Sequence, residues 1–397
     1  GTYVATIGEY GYTTLAEAFA SAATGDTIKL ISDVTVENTI SVRTKKVTFD
    51  LCGYTVYGAD IETLFRISNI VATFKNGTIE AQNVAFEIAG ASGFSNNAVT
   101  FAEDLNIISE NDVAVFIYNS IVLNTSANIT AKSAAIMGNG QDARFPKINV
   151  LDGNITSTDA AALYLPQKSG TTTISGGTIT GTTGIEIRNG TLNITGGKIV
   201  ATGETLTEAP NGNGNTVLSG AAVAVSKYAN TGTLKVNISG GELEGVYTVY
   251  EKNLNADGAQ IDGSSVNLSI TDGKLSGEIF SENKAGFISG GNYSELPKAE
   301  YFAEGFVGVW DEAEQAYVTQ EGTYVATVDG YGYTTLAEAI AAADGETVTL
   351  IADVTESVAI AEGKTVTLDL NGKTLTNVAG KHTIENYGTL TVIGEGT

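Results

Sequence analysis

Short runs of alternating apolar and polar residues, each closed by a glycine corner, recur along most of the chain. The run Thr173-Ile174-Ser175-Gly176-Gly177-Thr178-Ile179 returns as Asn193-Ile194-Thr195-Gly196-Gly197-Lys198-Ile199 and as Asn237-Ile238-Ser239-Gly240-Gly241-Glu242-Leu243. Fainter copies stand at 269–275 and 287–293. Alternation of period two predicts a strand with one buried side, and the glycines predict a tight corner into the next strand. Runs of the same kind begin near Thr27, Lys46, Ile70, Ala98, Ile121, Lys147, Thr171, Thr191, Thr233, Val266 and Phe287. Their spacing is mostly about 19 to 28 residues, which falls in the range of stacked repeats.

Two gaps are longer, and they hold Gly/Asn-rich or polar stretches, 211–215 and 253–263. They read as loops thrown out of the coil, over 202–222 and 251–265. Inward positions on this reading include Ile28, Phe49, Phe74, Phe86, Phe101, Ile136, Ile174, Ile194, Val225, Ile238, Leu268 and Ile270. Ten coils at the spacing of paired strands would extend roughly 50 Å. Asparagine recurs at 76, 154, 193, 237 and 267, many times in Asn-x-Ser/Thr triplets. The repeat itself spells that triplet, and corner asparagines can bond turn backbone, so the reading is structural and not a set of glycosylation sites.

One stretch breaks the pattern near the start. Thr14-Leu15-Ala16-Glu17 has the form of a capping box, and Leu15, Ala18, Phe19 and Ala22 fall on one helical face before Gly25. A helix over 14–23 is predicted as a lid on the exposed end of the coil. Aromatic residues then concentrate after Gly291, with Tyr293, Tyr301, Phe302, Phe306, Trp310 and Tyr317 in a non-repeating segment. It is read as a second lid and linker, and within it Tyr301 and Trp310 are candidate glycan contacts, because ring faces stack on sugar C–H surfaces.

The largest repeat is longer still. Residues 322–328 repeat 1–7, residues 331–339 repeat 10–18, and the register continues to 366–374 against 47–55. A period of about 320 residues implies tandem whole modules. The expected organisation is a capped module at 1–328, with its helix at 14–23, coils at 27–293 and lid or linker at 294–328. A truncated second module follows at 329–397, with a helix at about 335–343 and two to three coils.

No helical stripe runs inside the repeat, and the period is rich in Val, Ile, Thr, Asn and Gly. On these coils the chain resembles the right-handed parallel β-helix, or pectate-lyase-like, repeat proteins, and within them the large repetitive bacterial surface proteins that carry ISGGxI coils. The resemblance implies an all-β, single-stranded right-handed parallel β-helix (a solenoid) with a short N-terminal capping helix and the start of a second module. It covers nearly the whole chain and speaks to fold far more than to activity, since the scaffold hosts lyases, hydrolases, adhesins and passive stalks.

Composition narrows the chemistry. A net charge of -24 with a pI near 4.3 opposes nucleic acid and anionic membranes as partners. The single cysteine, Cys52, cannot form an intrachain disulfide and is expected to be a small core residue. No run is long and apolar enough for a membrane span, and an export signal, if one is used, is expected outside this sequence. With His382 as the only histidine, the complete module cannot assemble a Ser/His/Asp or Cys/His site, nor an ordinary zinc site. No phosphate-binding glycine loop appears, and no cofactor or metal is expected.

Carboxylate chemistry is what remains. If the chain is an enzyme, Asp152, Glu186, Arg188, Glu242 and Asp272 are its candidate groups, with Glu244 and Glu278 nearby in sequence. Glu186 and Arg188 alternate with Ile185 and Ile187, so they are expected to face outward as a solvated pair. The Asp-Gly steps at 152, 257, 262 and 272 are expected to be turns. The leading expectation is a non-enzymatic, extracellular structural or adhesin-like protein of tandem β-helix modules that could contact glycans or other surface ligands. A polysaccharide lyase or glycoside hydrolase on the same scaffold is the alternative.

Overall fold

A computed structural model describes residues 2–397 except 44, 91–96, 141–145, 168, 212–213, 228–231, 253–264 and 283. The chain forms two compact units, Gly1–Asn283 and Lys284–Thr397.

The first unit is a parallel β-helix. Its first turn runs through the strands Thr27–Leu30, Val34–Val36 and Ile40–Arg43, and the second through Lys46–Asp50, Thr55–Gly58 and Thr63–Ser68. Each strand pairs in parallel with its counterpart one turn later, so three strips of stacked strands form. The pairing continues for ten rungs among the described residues, and the last two rungs lie in the long bent strands Leu234–Glu251 and Val266–Ser281. Alternation turns one side of every strand into the axis. The column Phe49, Phe74, Phe101, Thr125, Val150, Ile174, Ile194, Ile238, Ile270 is in register from rung to rung and buried throughout. Thr125 is tolerated there because its hydroxyl accepts the amide of Ala127. Of the inward positions named from sequence, Leu268 alone is only half-buried.

The early rungs hold an aromatic stack. Phe65 and Phe86 lie face to face with centroids 5.1 Å apart, and Phe74 meets Phe86 edge-on at 5.1 Å. Helix α1 (Leu15–Ser21) closes this end, with Phe19 seated 5.2 Å from Phe49. Thr14 caps α1 through the amide of Glu17 at 3.2 Å. The expected reciprocal bond is replaced, because the Glu17 carboxylate accepts the Thr13 hydroxyl. At the other terminus Lys45, from the following coil, donates to the carbonyls of Phe19 and Ala20 at 3.0 and 2.8 Å. Strand Ala5–Ile7 runs antiparallel to Thr27–Leu30 and so covers the edge of the first strip.

The glycine corners have a steric cause. Gly153, Gly177, Gly197, Gly241 and Gly273 all have positive φ, between 75° and 121°. A Cβ on Gly176 would lie 2.2 Å from the Leu151 carbonyl oxygen of the preceding rung, and one on Gly177 2.5 Å from that of Gly153. Asparagines bind rung to rung through their side chains. Asn149 donates to Asn124 at 2.8 Å, and Asn237 to Asn193 at 2.8 Å. Cys52 is exposed with φ 51°, at a turn where its amide donates to Asp50, and so corrects the expected core placement. A left-handed turn residue after Asp50 points out of the coil.

The second unit repeats the closure. Helix α2 (Leu336–Ala342) is capped by Thr335, and Lys364 donates to the Ala341 carbonyl at 2.7 Å. Strands Thr347–Leu350, Thr365–Asp369 and Thr389–Ile393 stack in parallel, beside two shorter parallel pairs. The Phe287 repeat is not a further rung. Phe287 packs on Tyr301 at 5.2 Å, and Asn292–Tyr293 runs antiparallel to Tyr317 and Val318, so the coils expected to reach 293 end at Ser281 among the described residues. Here the hairpin Phe306–Asp311/Ala316–Glu321 takes over the pairing.

Candidate functional site beneath the hairpin

The stretch read as the 202–222 loop contains a β-hairpin, Thr207–Asn211 paired antiparallel with Gly214–Ser219. It lies on the outer side of the third strip. Thr182 and Thr183 donate to the carbonyls of Leu218 and Val217 at 2.7 and 3.0 Å, and Val217 is buried with Ala221, Ala224 and Tyr250. Tyr250 donates to Glu208 at 2.8 Å, and Lys252 stands 3.6 Å from the same carboxylate.

This roof changes what lies under it. Glu186 and Arg188 do point away from the axis, yet they are 1% and 0% exposed, so the expected solvated pair is corrected to a sealed one. The Arg188 Nε is 3.9 Å from Glu186 Oε1 and donates to the Ser226 carbonyl at 3.2 Å. Its Nη1 donates to the Tyr164 hydroxyl at 3.4 Å. The Glu186 carboxylate accepts from the Thr216 hydroxyl, from Ser226 at 2.8 Å and from the Val217 amide at 3.4 Å. Burial pushes the Glu186 carboxyl above the ordinary glutamate range, against the opposing pull of Arg188 and of these donors.

The other candidates stand apart from it. Asp152 and Asp272 occupy exposed corners between the first and second strips, where each accepts the amide of the following glycine, so both serve as the expected turns. Asp257 and Asp262 lie outside the described residues. Glu242 is exposed on the second strip, in register with Lys198 and Lys274. Glu244 pairs with Lys198 at 2.8 Å, and Glu278 is half-buried on the third strip beside Tyr247. The five candidates are therefore divided between one corner line and two strips, whereas glycoside hydrolysis needs two carboxyls facing one bond within about 10 Å. No group of three or more His, Cys, Asp or Glu suited to a metal occurs among the described residues.

The aromatic candidates separate as well. Tyr301 is 2% exposed and packs on Phe287, which removes it as a glycan contact. Trp310 is 42% exposed and edge-on to Tyr317 at 5.2 Å.

Sequence reading missed Thr216, Ser226 and Tyr164, whose only signal is proximity to a long loop or to a strand end. It also passed over Asn189, Lys227 and Glu251, each closed off from solvent. For these a signal existed: the alternation Ile185, Ile187 leads to Asn189, Val223, Val225 to Lys227, and Val249 to Glu251. Comparison with protein-family models, with curated proteins and with solved structures returns no match.

Proposed function

We propose that the chain is a non-enzymatic structural or adhesin-like part of an extracellular, cell-surface or secreted protein, built from tandem β-helix modules akin to the pectate-lyase-like repeat proteins. The observation that carries this reading is the repetition of the whole closure. Both copies use a Thr-capped helix of the same length, a lysine from the next coil on the helix carbonyls, and a tyrosine ring packed flat on a glycine, Tyr3 on Gly11 and Tyr324 on Gly332. Repeating a closed unit adds length and surface and duplicates no catalytic group. The scattered carboxylates and the sealed Glu186 support the same reading. Exposed Trp310 is the residue offered for contact with a glycan.

A carbohydrate-active enzyme is the second reading, favoured by one observation, the raised carboxyl of Glu186 beside Arg188. Incubating the full chain with polyuronates and neutral glycans tests both. The expected result is no product, with retention on a glycan panel weakened by Trp310→Ala. Reproducible product formation abolished by Glu186→Gln or Asp152→Asn would overturn the proposal.

A further inference from the structure

Polar residues in an apolar column demand a reason, because an unpaired buried charge or amide is costly. The third strip has several such residues where its rungs leave the sheet, with Gln167, Asn189, Lys227, Glu251 and Ser281 all buried. The inward column Leu165, Ile187, Val225 continues in register to Glu251, which is 0% exposed. Backbone pairing runs one residue past the strands, since the Ser226 amide donates to the Ile187 carbonyl at 3.1 Å and the Lys252 amide to that of Val225 at 3.2 Å. One residue further on, Asn189 and Lys227 follow each other on adjoining rungs, 1% and 3% exposed. Glu251 lies on the next rung, in register with Val225, which stands two residues before Lys227.

The carboxamide of Asn189 is held unevenly. Its Oδ1 accepts the Gly190 amide at 3.0 Å, while its buried Nδ2 has no hydrogen-bond partner. The bond to Oδ1 polarises the carbonyl toward addition at Cγ. Glu251 is itself positioned by the Ser281 hydroxyl at 2.8 Å.

We propose that Lys227 and Asn189 become joined by a side-chain amide bond, with Glu251 as the proton carrier. The Glu251 carboxylate takes one proton from the Lys227 ammonium, and the freed Nζ lone pair adds to Asn189 Cγ. The developing oxyanion at Oδ1 faces the Gly190 amide. A second proton passes from the attacking nitrogen to Nδ2, the Cγ–Nδ2 bond breaks, and ammonia leaves. One C–N bond forms and one breaks, no atom changes oxidation state, and no further reactant is required. The product is a neutral crosslink between two successive rungs, closing the loop that carries the hairpin. This inference is independent of the proposed surface role.

Intact-mass spectrometry of the full chain reads the reaction directly, with an expected mass about 17 Da below that of the sequence. Cyclisation of Asn189 with Gly190 would release the same ammonia, so the branched peptide decides. Trypsin should leave 189–198 joined to a peptide that runs uncut through 227, and Lys227→Ala and Glu251→Gln should each restore the full mass. Full mass in the unmodified chain, cleavage after Lys227, or a deficit that persists in Lys227→Ala would each overturn the proposal.

Discussion

The Thr216 hydroxyl donates to the Glu186 carboxylate across 30 residues of sequence, and so joins the tip-side strand of the hairpin to the third strip of the coil. Glu186 also accepts from Ser226 and the Val217 amide while it faces Arg188. Removing the carboxylate strands the guanidinium in a closed site. Glu186→Ala is therefore expected to destabilise the first unit by about 3–5 kcal/mol, read as a lower urea midpoint and as faster proteolysis within the hairpin.

The same group sets a pH dependence with a definite sign. Its folded carboxyl is raised above the ordinary glutamate value, so the native state binds more protons than the unfolded chain in the window between the two. Its contribution to stability is present below the ordinary value and is lost as pH rises through that window. Comparing urea midpoints at about pH 5 and about pH 8 should show a falling component in the native chain that Glu186→Gln removes.

Tyr324 gives an alkaline counterpart in the second unit. Burial pushes its hydroxyl up to about 12, and the oxygen accepts the Gly308 amide at 2.6 Å. The raised value keeps the phenol neutral, so the contribution is lost as pH climbs from the usual tyrosine value toward 12. Tyr324→Phe should cost about 1 kcal/mol at neutral pH and blunt that loss, measured by tyrosine absorbance together with denaturation.

Corner glycines differ in how much they tolerate. Gly177 has φ 75° and carbonyl oxygen within 2.5 Å of any added Cβ, whereas Gly25 has φ 101° and open space around it. Gly25→Ala should cost about 1 kcal/mol from backbone strain alone, and Gly177→Ala roughly twice to three times that, by denaturant titration.

Within the core, Phe74 touches the rings of Phe49 and Phe65 on the preceding rung, of Phe86 on its own rung and of Phe101 on the next. Phe74→Ala is expected to cost about 3–5 kcal/mol, with calorimetry as the check.

Period-two alternation and the Thr-x-x-Glu helix start are local signals, and what they govern locally was readable: the strand runs, the axis residues and the two short helices. The alternation also gave the direction of Glu186 and Arg188 correctly while misjudging their exposure. Direction follows from the strand that carries a side chain, but burial follows from whatever covers it, and here the cover is a hairpin some 30 residues downstream. Cys52 failed for the opposite reason. The alternation around Leu51 suggested a continuing strand, whereas Asp50 and Gly53 turn the backbone into a left-handed corner. Phe287 carried the repeat's letters without its neighbours, and aromatic packing with Tyr301 decided its place.

Lys45 and Lys364 grip the final carbonyls of α1 and α2 from the coil that follows each helix. A terminal plug held in this way cannot fray by itself, because lifting it also pulls the ammonium of the turn beneath. Under tension applied from the N-terminal side, plug and first coil should release as one event, so each copy would act as a single mechanical fuse.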